Sequence, residues 1–410
     1  MDRPGRKALA LALGTVLAAV VPASAQAAFP GANGPIVWSA NTGDQGGGTM
    51  EIWVMDADGT GKDQVTDNAL SDDRPAISPD GQKIVFQSSR TALGEPSNNT
   101  ELIRVDVDGT GEEALTDDSV NDFDPTFSPD GTRIVWSRGA DIWVMDSDGT
   151  DPANLTNTPL AFEAAPEFSP DGTRIAFTSN GRASGNPGDP YDPNNVWVMN
   201  ANGSNRVKLT EAAPAPTPDG NFDPSWSPDG ARIAYVASFG SADNEIYVMD
   251  ADGTDEVALT STAVNETQPV FSPDGTLVAF TSPGGDSEIV TSSSSPPASG
   301  GPFTFLTSNA VTDEYAYWGP DAGGGAAPNT KITRRPDDRT TARRVRYSFR
   351  AIPPEGASFE CKFDSGRFKA CSSPKRYRNL SPGRHRFAVR ASNASGTDPT
   401  PARDYFKVKR

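Results

Sequence analysis

Apolar residues arrive in four-residue bursts along the first three quarters of this chain. The clearest is Arg133-Ile134-Val135-Trp136. In an extended strand Ile134 and Trp136 share one face and Val135 takes the other. Lys83 to Phe86, Arg174 to Phe177, Arg232 to Tyr235 and Leu277 to Phe280 repeat the pattern. A strand that is apolar on both faces is covered on both sides. A second burst follows each first one: Ile142-Trp143-Val144-Met145, echoed at Ile52 to Met55, Leu102 to Val105, Val196 to Met199 and Ile246 to Met249.

The punctuation between bursts is equally regular. Ser-Pro-Asp-Gly stands before the first burst at Ser78, Ser128, Ser169, Ser227 and Ser272, with a worn copy, Gly319-Pro320-Asp321-Ala322, near the end. Proline presets φ at the start of a turn, and glycine accepts the positive φ that leads into the next strand. The second burst runs into a hairpin signal at Asp58-Gly59, Asp108-Gly109, Asp148-Gly149, Asn202-Gly203 and Asp252-Gly253. A short closing strand then ends in Thr66, Thr116, Thr156, Thr210, Thr260 and Thr307. Each unit therefore predicts four strands with two apolar faces. Such a sheet must stack on its neighbours, and radial stacking into a propeller achieves this.

Six closing strands predict six blades. The chain opens with Pro35 to Trp38, a second strand without a first. It leaves the repeats with Tyr317 to Asp321, a first strand without a second. The two ends are expected to complete one blade and close the ring. These residues resemble the repeats of TolB-type propellers, a branch of the WD-like class, over about Phe29 to Asp321. The resemblance implies capture of a protein or envelope ligand at the mouth of the channel.

The remainder reads differently. Ala322 to Thr330 is rich in Gly, Ala and Pro and predicts a linker. Residues 331–410 alternate like strands around turns at Asp364-Ser365-Gly366 and Ser381-Pro382-Gly383, which predicts a small β-sandwich. The stretches CKFDSGRFKACSSP and SPGRHRFAVRASNASGTDPTPA resemble the Ig-like modules appended to secreted bacterial proteins. That resemblance implies a disulfide between Cys361 and Cys371. Two cysteines ten apart in an exported chain favour the same bond. The fold expected is all-β: a six-bladed propeller over residues 29–321, then an Ig-like sandwich.

Residues 1–28 read as a secretory signal. Arg3, Arg6 and Lys7 precede the apolar run Ala8 to Val21, and Ala25-Gln26-Ala27 supplies small residues for cleavage. The run is too short to span a bilayer stably. The mature protein is therefore expected outside the cytoplasm, secreted, periplasmic or at the cell surface, without a transmembrane anchor. Charge divides the chain. The net value is −18, yet residues 325–410 carry 21 basic and 7 acidic side chains, a balance of +14, leaving −32 for residues 1–324. That sign disfavours nucleic acid as a partner of the propeller. The basic domain either contacts an anionic polymer or simply offsets the acidic one.

Candidate chemistry is sparse. The sole histidine, His385, lies in the sandwich, so the propeller has no Ser-His-Asp or Cys-His mechanism. No Gly-x-Ser-x-Gly elbow occurs either. The Asp-x-Asp-Gly-Thr turns lack the later ligands of a calcium loop and read as hairpins. Trp53, Trp143 and Trp197 read as blade packing. One column of carboxylates remains. Five residues before the Phe or Trp that leads Ser-Pro-Asp-Gly (Ile77 in the first copy), the repeats carry Asp72, Asp122, Glu163, Asn221, Glu266 and Asp313. Two readings are open. A ring of these acids at the channel entrance would raise its own pKa values and suit Ca²⁺ or Mg²⁺. Alternatively, each acid caps backbone amides of its own loop. No cofactor is required by the sequence, with Ca²⁺ in the channel the one candidate.

The loops between second and third strands vary most: Ser88 to Thr100, Ser137 to Ala140, Ser179 to Asn195, Ala237 to Asn244 and Ser282 to Ser287. They fall on one face, which marks a binding face. Tyr191, in the longest loop, is the contact candidate. The function expected is that of an exported, non-catalytic binding or scaffold protein for a protein or an envelope polymer. A metal-assisted hydrolase or lyase in the channel is the alternative.

Overall fold

The computed structural model describes residues 31–41, 49–90, 96–158, 161–181, 193–211, 220–238, 243–283, 286–295, 303–321, 329–337, 339–352, 357–393, 396–398 and 401–409. The signal segment and Tyr191 lie outside them. Among the described residues there is no helix, and none that could cross a membrane.

Six four-stranded antiparallel sheets follow one another along the propeller. We number the blades I to VI. Blade I takes its inner strand, Asp313–Pro320, from the far end of the repeats and its other three from the start. Asn33–Asn41 pairs with it through Ile36 opposite Trp318 and Ala40 opposite Asp313. The two incomplete ends thus complete one sheet, as the permuted repeat predicts.

The apolar faces do what two-sided strands require. Ile134 and Trp136 of blade III pack with Val85 and Leu102 of blade II. Val135, pointing the other way, packs with Phe168, Ile175 and Phe177 of blade IV. Every junction repeats this arrangement, the branched-plus-aromatic face of one blade against the small face of the one before. Arginines at the start of the second strands reach across as well. Arg133, Arg174 and Arg232 sit 5.2, 4.5 and 5.4 Å from the ring centres of Phe168, Trp226 and Phe271 in the following blade.

Local hydrogen bonds explain the punctuation. In the Ser-Pro-Asp-Gly turn, Ser78 donates to Asp80 at 2.6 Å and its Oγ accepts from the Lys83 amide at 2.9 Å. In the Asp-x-Asp-Gly-Thr hairpin, the Asp58 carboxylate accepts from both the amide and the hydroxyl of Thr60, at 2.9 and 2.6 Å. Gly109 in the equivalent turn has φ 82°, and a Cβ there would lie 2.7 Å from the Val65 carbonyl of the preceding blade. The closing threonines have one shared task. Each hydroxyl accepts the amide of an apolar third-strand residue, from Thr66 with Ile52 at 2.9 Å to Thr307 with Ile289 at 2.8 Å.

The linker expected over 322–330 stops short: a strand, Asn329–Arg334, already begins inside it. The blade II loop is also shorter than expected. Its second strand runs to Arg90 because that side chain is buried against Asp72. Beyond the linker, a three-stranded and a six-stranded sheet enclose one core around Tyr347, Phe349, Phe387 and Phe406. Cys361 and Cys371 are disulfide-bonded. His385 is held between Asp364 and the Ser381 carbonyl, each at 2.9 Å, in a structural role. The basic unit touches the propeller: Arg350 donates to Asp63 at 2.7 Å and Lys331 to the Gln64 carbonyl at 3.2 Å.

The disulfide closes a loop between residues ten apart. Replacing both cysteines with alanine should cost the sandwich about 2–3 kcal/mol. Urea unfolding with and without reductant tests this: wild type should shift on reduction and the double variant should not.

Candidate functional site

The carboxylate column does not form a ring at the channel. Asp72, Asp122 and Asp313 turn into their own blades, and Glu266 meets the connection from the preceding one. Asp72 accepts from Ser88 at 2.6 Å and Asn68 at 2.7 Å, and pairs with Arg90 at 3.2 Å. Asp122 accepts the Trp136 indole N–H at 2.7 Å and pairs with Arg138 at 3.1 Å. Asp313 does the same with Trp38, at 2.8 Å. Glu266 accepts from Thr262 at 2.6 Å. Glu163 is also buried, and Asn221 is half-buried. Burial pushes the Asp72, Asp122, Glu163, Glu266 and Asp313 carboxyls up, against the pull of these donors. Among the described residues, no three His, Cys, Asp or Glu side chains converge as metal ligands.

The residues that reach the channel stand two positions further on. The inner strand of every blade carries a bulge, seen as a register skip between Asp73 and Ala76, Phe123 and Thr126, Ala164 and Glu167, Phe222 and Ser225, and Thr267 and Val270. Blade I shows the same skip opposite Tyr315. At the bulges Arg74, Asp124, Ala165, Asp223, Gln268 and Tyr315 take φ values of 50, 54, 50, 51, 55 and 55°. That left-handed conformation costs roughly 1–2 kcal/mol for a residue with a side chain. Proline follows in five blades, at Pro75, Pro125, Pro166, Pro224 and Pro269. It is tolerated because the innermost strand has no ladder partner on its channel side.

Neighbouring blades hold the bulges in place. The Arg74 amide donates to Ser39 at 3.1 Å, Asp124 to Gln87 at 3.3 Å, Asp223 to Thr178 at 3.1 Å, and Tyr315 to Gln268 at 3.2 Å. Each acceptor belongs to the preceding blade. Ala165 donates to the Asp124 carboxylate at 3.2 Å.

The resulting ring has no rotational symmetry. Arg74 is ion-paired with Asp124, donates to the Tyr315 hydroxyl at 2.9 Å, and lies 4.2 Å from that ring's centre. Burial pushes the Tyr315 hydroxyl up to about 12. The Asp223 carboxylate faces the same space with no hydrogen-bond or ion-pair partner among the described residues. Enclosure by the blades pushes its carboxyl up to about 6, against the attraction of Arg74.

Arg74, Asp124 and Asp223 separate two cavities. The outer, about 480 Å³, lies off the axis over blades II to V and is walled by Thr100, Asn121, Phe123, Phe162, Asn194 and Phe222. The inner, about 110 Å³, is lined by Tyr315, Gln268, Glu167 and Tyr317. Glu167 is buried there, and desolvation pushes its carboxyl up to about 8 despite the Ser225 hydroxyl and the Trp226 amide. Thr100, in the third strand of blade II, and Asn194, just before the third strand of blade IV, reach the channel mouth. The recurring proline was the signal for the true channel column.

Comparison with known proteins agrees with the architecture. Residues 195–323 match the family model described as TolB beta propeller domain. TolB from Acinetobacter baumannii is similar in structure, with a TM-score of 0.57 and 21% identity, covering 70% of this chain and 67% of that one. Kuenenia stuttgartiensis hydrazine synthase is similar with a TM-score of 0.55 and 14% identity, covering 93% of this chain and 68% of that one. At such identities the likeness shows the fold alone. An uncharacterized peptidase of Bacillus subtilis, YuxL, is 27% identical over 96 residues, which span 23% of this chain and 14% of that relative's length.

Two predictions follow from the burial of these acids. Asp122→Ala strands the Trp136 N–H and Arg138, and should cost about 3 kcal/mol in urea unfolding, whereas Asn221→Ala should stay within about 0.5 kcal/mol. Glu167 in the folded chain keeps its proton where the unfolded chain has released it. Its contribution is therefore complete below about pH 4.5 and falls as pH rises towards 8. Glu167→Gln should remove that fall, so its advantage in Tm over wild type should grow between about pH 5 and about pH 8. The chain is a β-propeller repeat protein, and its residues 195–323 carry the match to the TolB β-propeller domain.

Proposed function

We propose that this chain is a non-catalytic binding protein that acts outside the cytoplasm and captures a protein partner at the channel mouth. The basic sandwich holds it to an anionic envelope polymer. The observation that carries the reading is the channel ring. The Ser-Pro-Asp-Gly turn, the apolar strands and the closing threonine recur from copy to copy, yet at the mouth the six positions hold Arg74, Asp124, Ala165, Asp223, Gln268 and Tyr315. Uniform repeats hold the ring together, and one non-uniform surface, open to a cavity of about 480 Å³, is left for recognition. Phe162 stands at that mouth with 42% of its surface exposed.

The sandwich supports the second part. Arg344 lies directly opposite Arg378, and Arg346 opposite Arg376. All four are exposed and have no ion pair among the described residues. Like charges facing each other across a sheet are destabilising unless a counter-charge is supplied. The carboxylate column gives a metal-assisted reaction no support, since among the described residues its acids do not converge on one point.

A photo-crosslinking residue placed at Phe162 tests the reading, with the same residue at Val257, an exposed position on an outer strand, as control. In cells secreting the full chain, the expected result is a defined protein adduct at position 162 and not at 257. Equal labelling at both positions, or none at either, overturns it.

A further inference from the structure

The outer cavity has a chemistry of its own. Its wall carries three phenylalanines, Phe123, Phe162 and Phe222, from blades III, IV and V. Its floor carries three charged groups, and two of them are spent. Arg74 is bound by Asp124 and by the Tyr315 hydroxyl. The second oxygen of Asp124 accepts the Ala165 amide at 3.2 Å. Asp223 alone keeps a carboxylate with no hydrogen bond or ion pair among the described residues. The floor therefore has a net negative charge with one acceptor group still open, under an aromatic wall.

We propose that this pocket binds the basic side chain of a partner polypeptide, a lysine ammonium or an arginine guanidinium, with its charge on Asp223 and its methylene stem along Phe123, Phe162 and Phe222. The inference rests on the binding reading above and names the group recognised. A long basic side chain is apolar along its stem and charged only at its tip. Its stem suits the phenyl walls and its tip is attracted to ring faces as well as to the carboxylate. A neutral apolar side chain would fill the same walls but leave Asp223 desolvated and unpaired. An acidic one would be repelled. A divalent metal fits less well, because it needs several oxygen ligands and both Asp124 oxygens are engaged.

The site is also placed to select for an extended chain. The cavity lies off the axis and opens beside Thr100 and Asn194, at the third strands of blades II and IV. Polypeptide on either side of the basic residue can run over those strand ends.

The test uses the full mature chain and three blocked tripeptides, acetyl-Gly-Lys-Gly-amide, acetyl-Gly-Arg-Gly-amide and acetyl-Gly-norleucine-Gly-amide. Binding is measured by ligand-observed NMR titration. The lysine or the arginine peptide should bind at least about tenfold more tightly than the norleucine peptide. Asp223→Asn should abolish that preference and leave norleucine binding unchanged. The variant removes a charge held in an unfavourable enclosure, so folding is not at risk. Phe222→Ser is the second variant, and should weaken all three peptides together. Equal affinity for norleucine and both basic peptides, a preference that survives Asp223→Asn, or no binding of either basic peptide overturns the proposal. So does displacement of the lysine peptide by equimolar Ca²⁺, which would make Asp223 a metal ligand. If the protein adduct at position 162 persists in Asp223→Asn while the tripeptide preference was never present, the binding reading stands and the basic-side-chain inference falls.

Discussion

Everything in the propeller depends on the contact between the two unequal faces of adjacent blades. A four-stranded sheet with Ile134 and Trp136 on one side and Val135 on the other cannot be soluble by itself. Placed in a ring, each blade sets its bulky face against the small face of its predecessor, and no face is left over. The ring must close, because an open ring would leave two such faces in water. Closure is made by pairing Asp313–Pro320 with Asn33–Asn41, so that the last repeat is tied to the first by backbone hydrogen bonds. The bulges inherit their shape from the same contact. The amides of five of the six left-handed residues are capped by a side chain of the preceding blade. Strain at the channel is thus held in place by the packing between blades, which is the usual condition for strained residues to persist.

The architecture was legible because its signals are periodic. Turn glycines, the aromatic of the second strand and the closing threonine recur in order, and each has a local task that the structure confirms. Thr66 and its five equivalents cap a third-strand amide that the two-residue closing strand leaves without a ladder partner. The permuted blade was legible for the same reason, since a repeat that starts at its second strand must find its first elsewhere.

The channel was harder to read, and the failure has one physical cause. Counting back along an ideal strand assigns faces by parity. A bulge inserts one residue and reverses the parity upstream of it. The acids at Asp72, Asp122 and Asp313 therefore point into the blade, where they meet Ser88, Trp136 and Trp38, and the channel receives Arg74, Asp124 and Tyr315 instead. A proline repeated inside five buried-looking strands is hard to reconcile with a regular ladder, and it marks these bulges. What no pattern gave is which of the ring residues would pair. Arg74 and Tyr315 lie 241 positions apart in sequence and meet only because the ring closes.

The charge asymmetry can be taken one step further with the contacts in hand. If the basic sandwich served only to neutralise the acidic propeller, its cations would be spent at the junction between them. The junction uses Arg350 and Lys331, with Asp63, Asp56 and the Gln64 carbonyl as partners. Arg344, Arg346, Arg376 and Arg378 stand instead on an exposed sheet face, paired with one another rather than with acids. An offsetting role would place them opposite the propeller's carboxylates, where each pair would be favourable. Their actual placement is unfavourable in the isolated chain, and an external anion lying across the sheet would relieve it. The junction therefore accounts for Arg350 and Lys331, and Arg335 and Arg390 pair within the sandwich, but Arg344, Arg346, Arg376 and Arg378 have no acidic partner among the described residues.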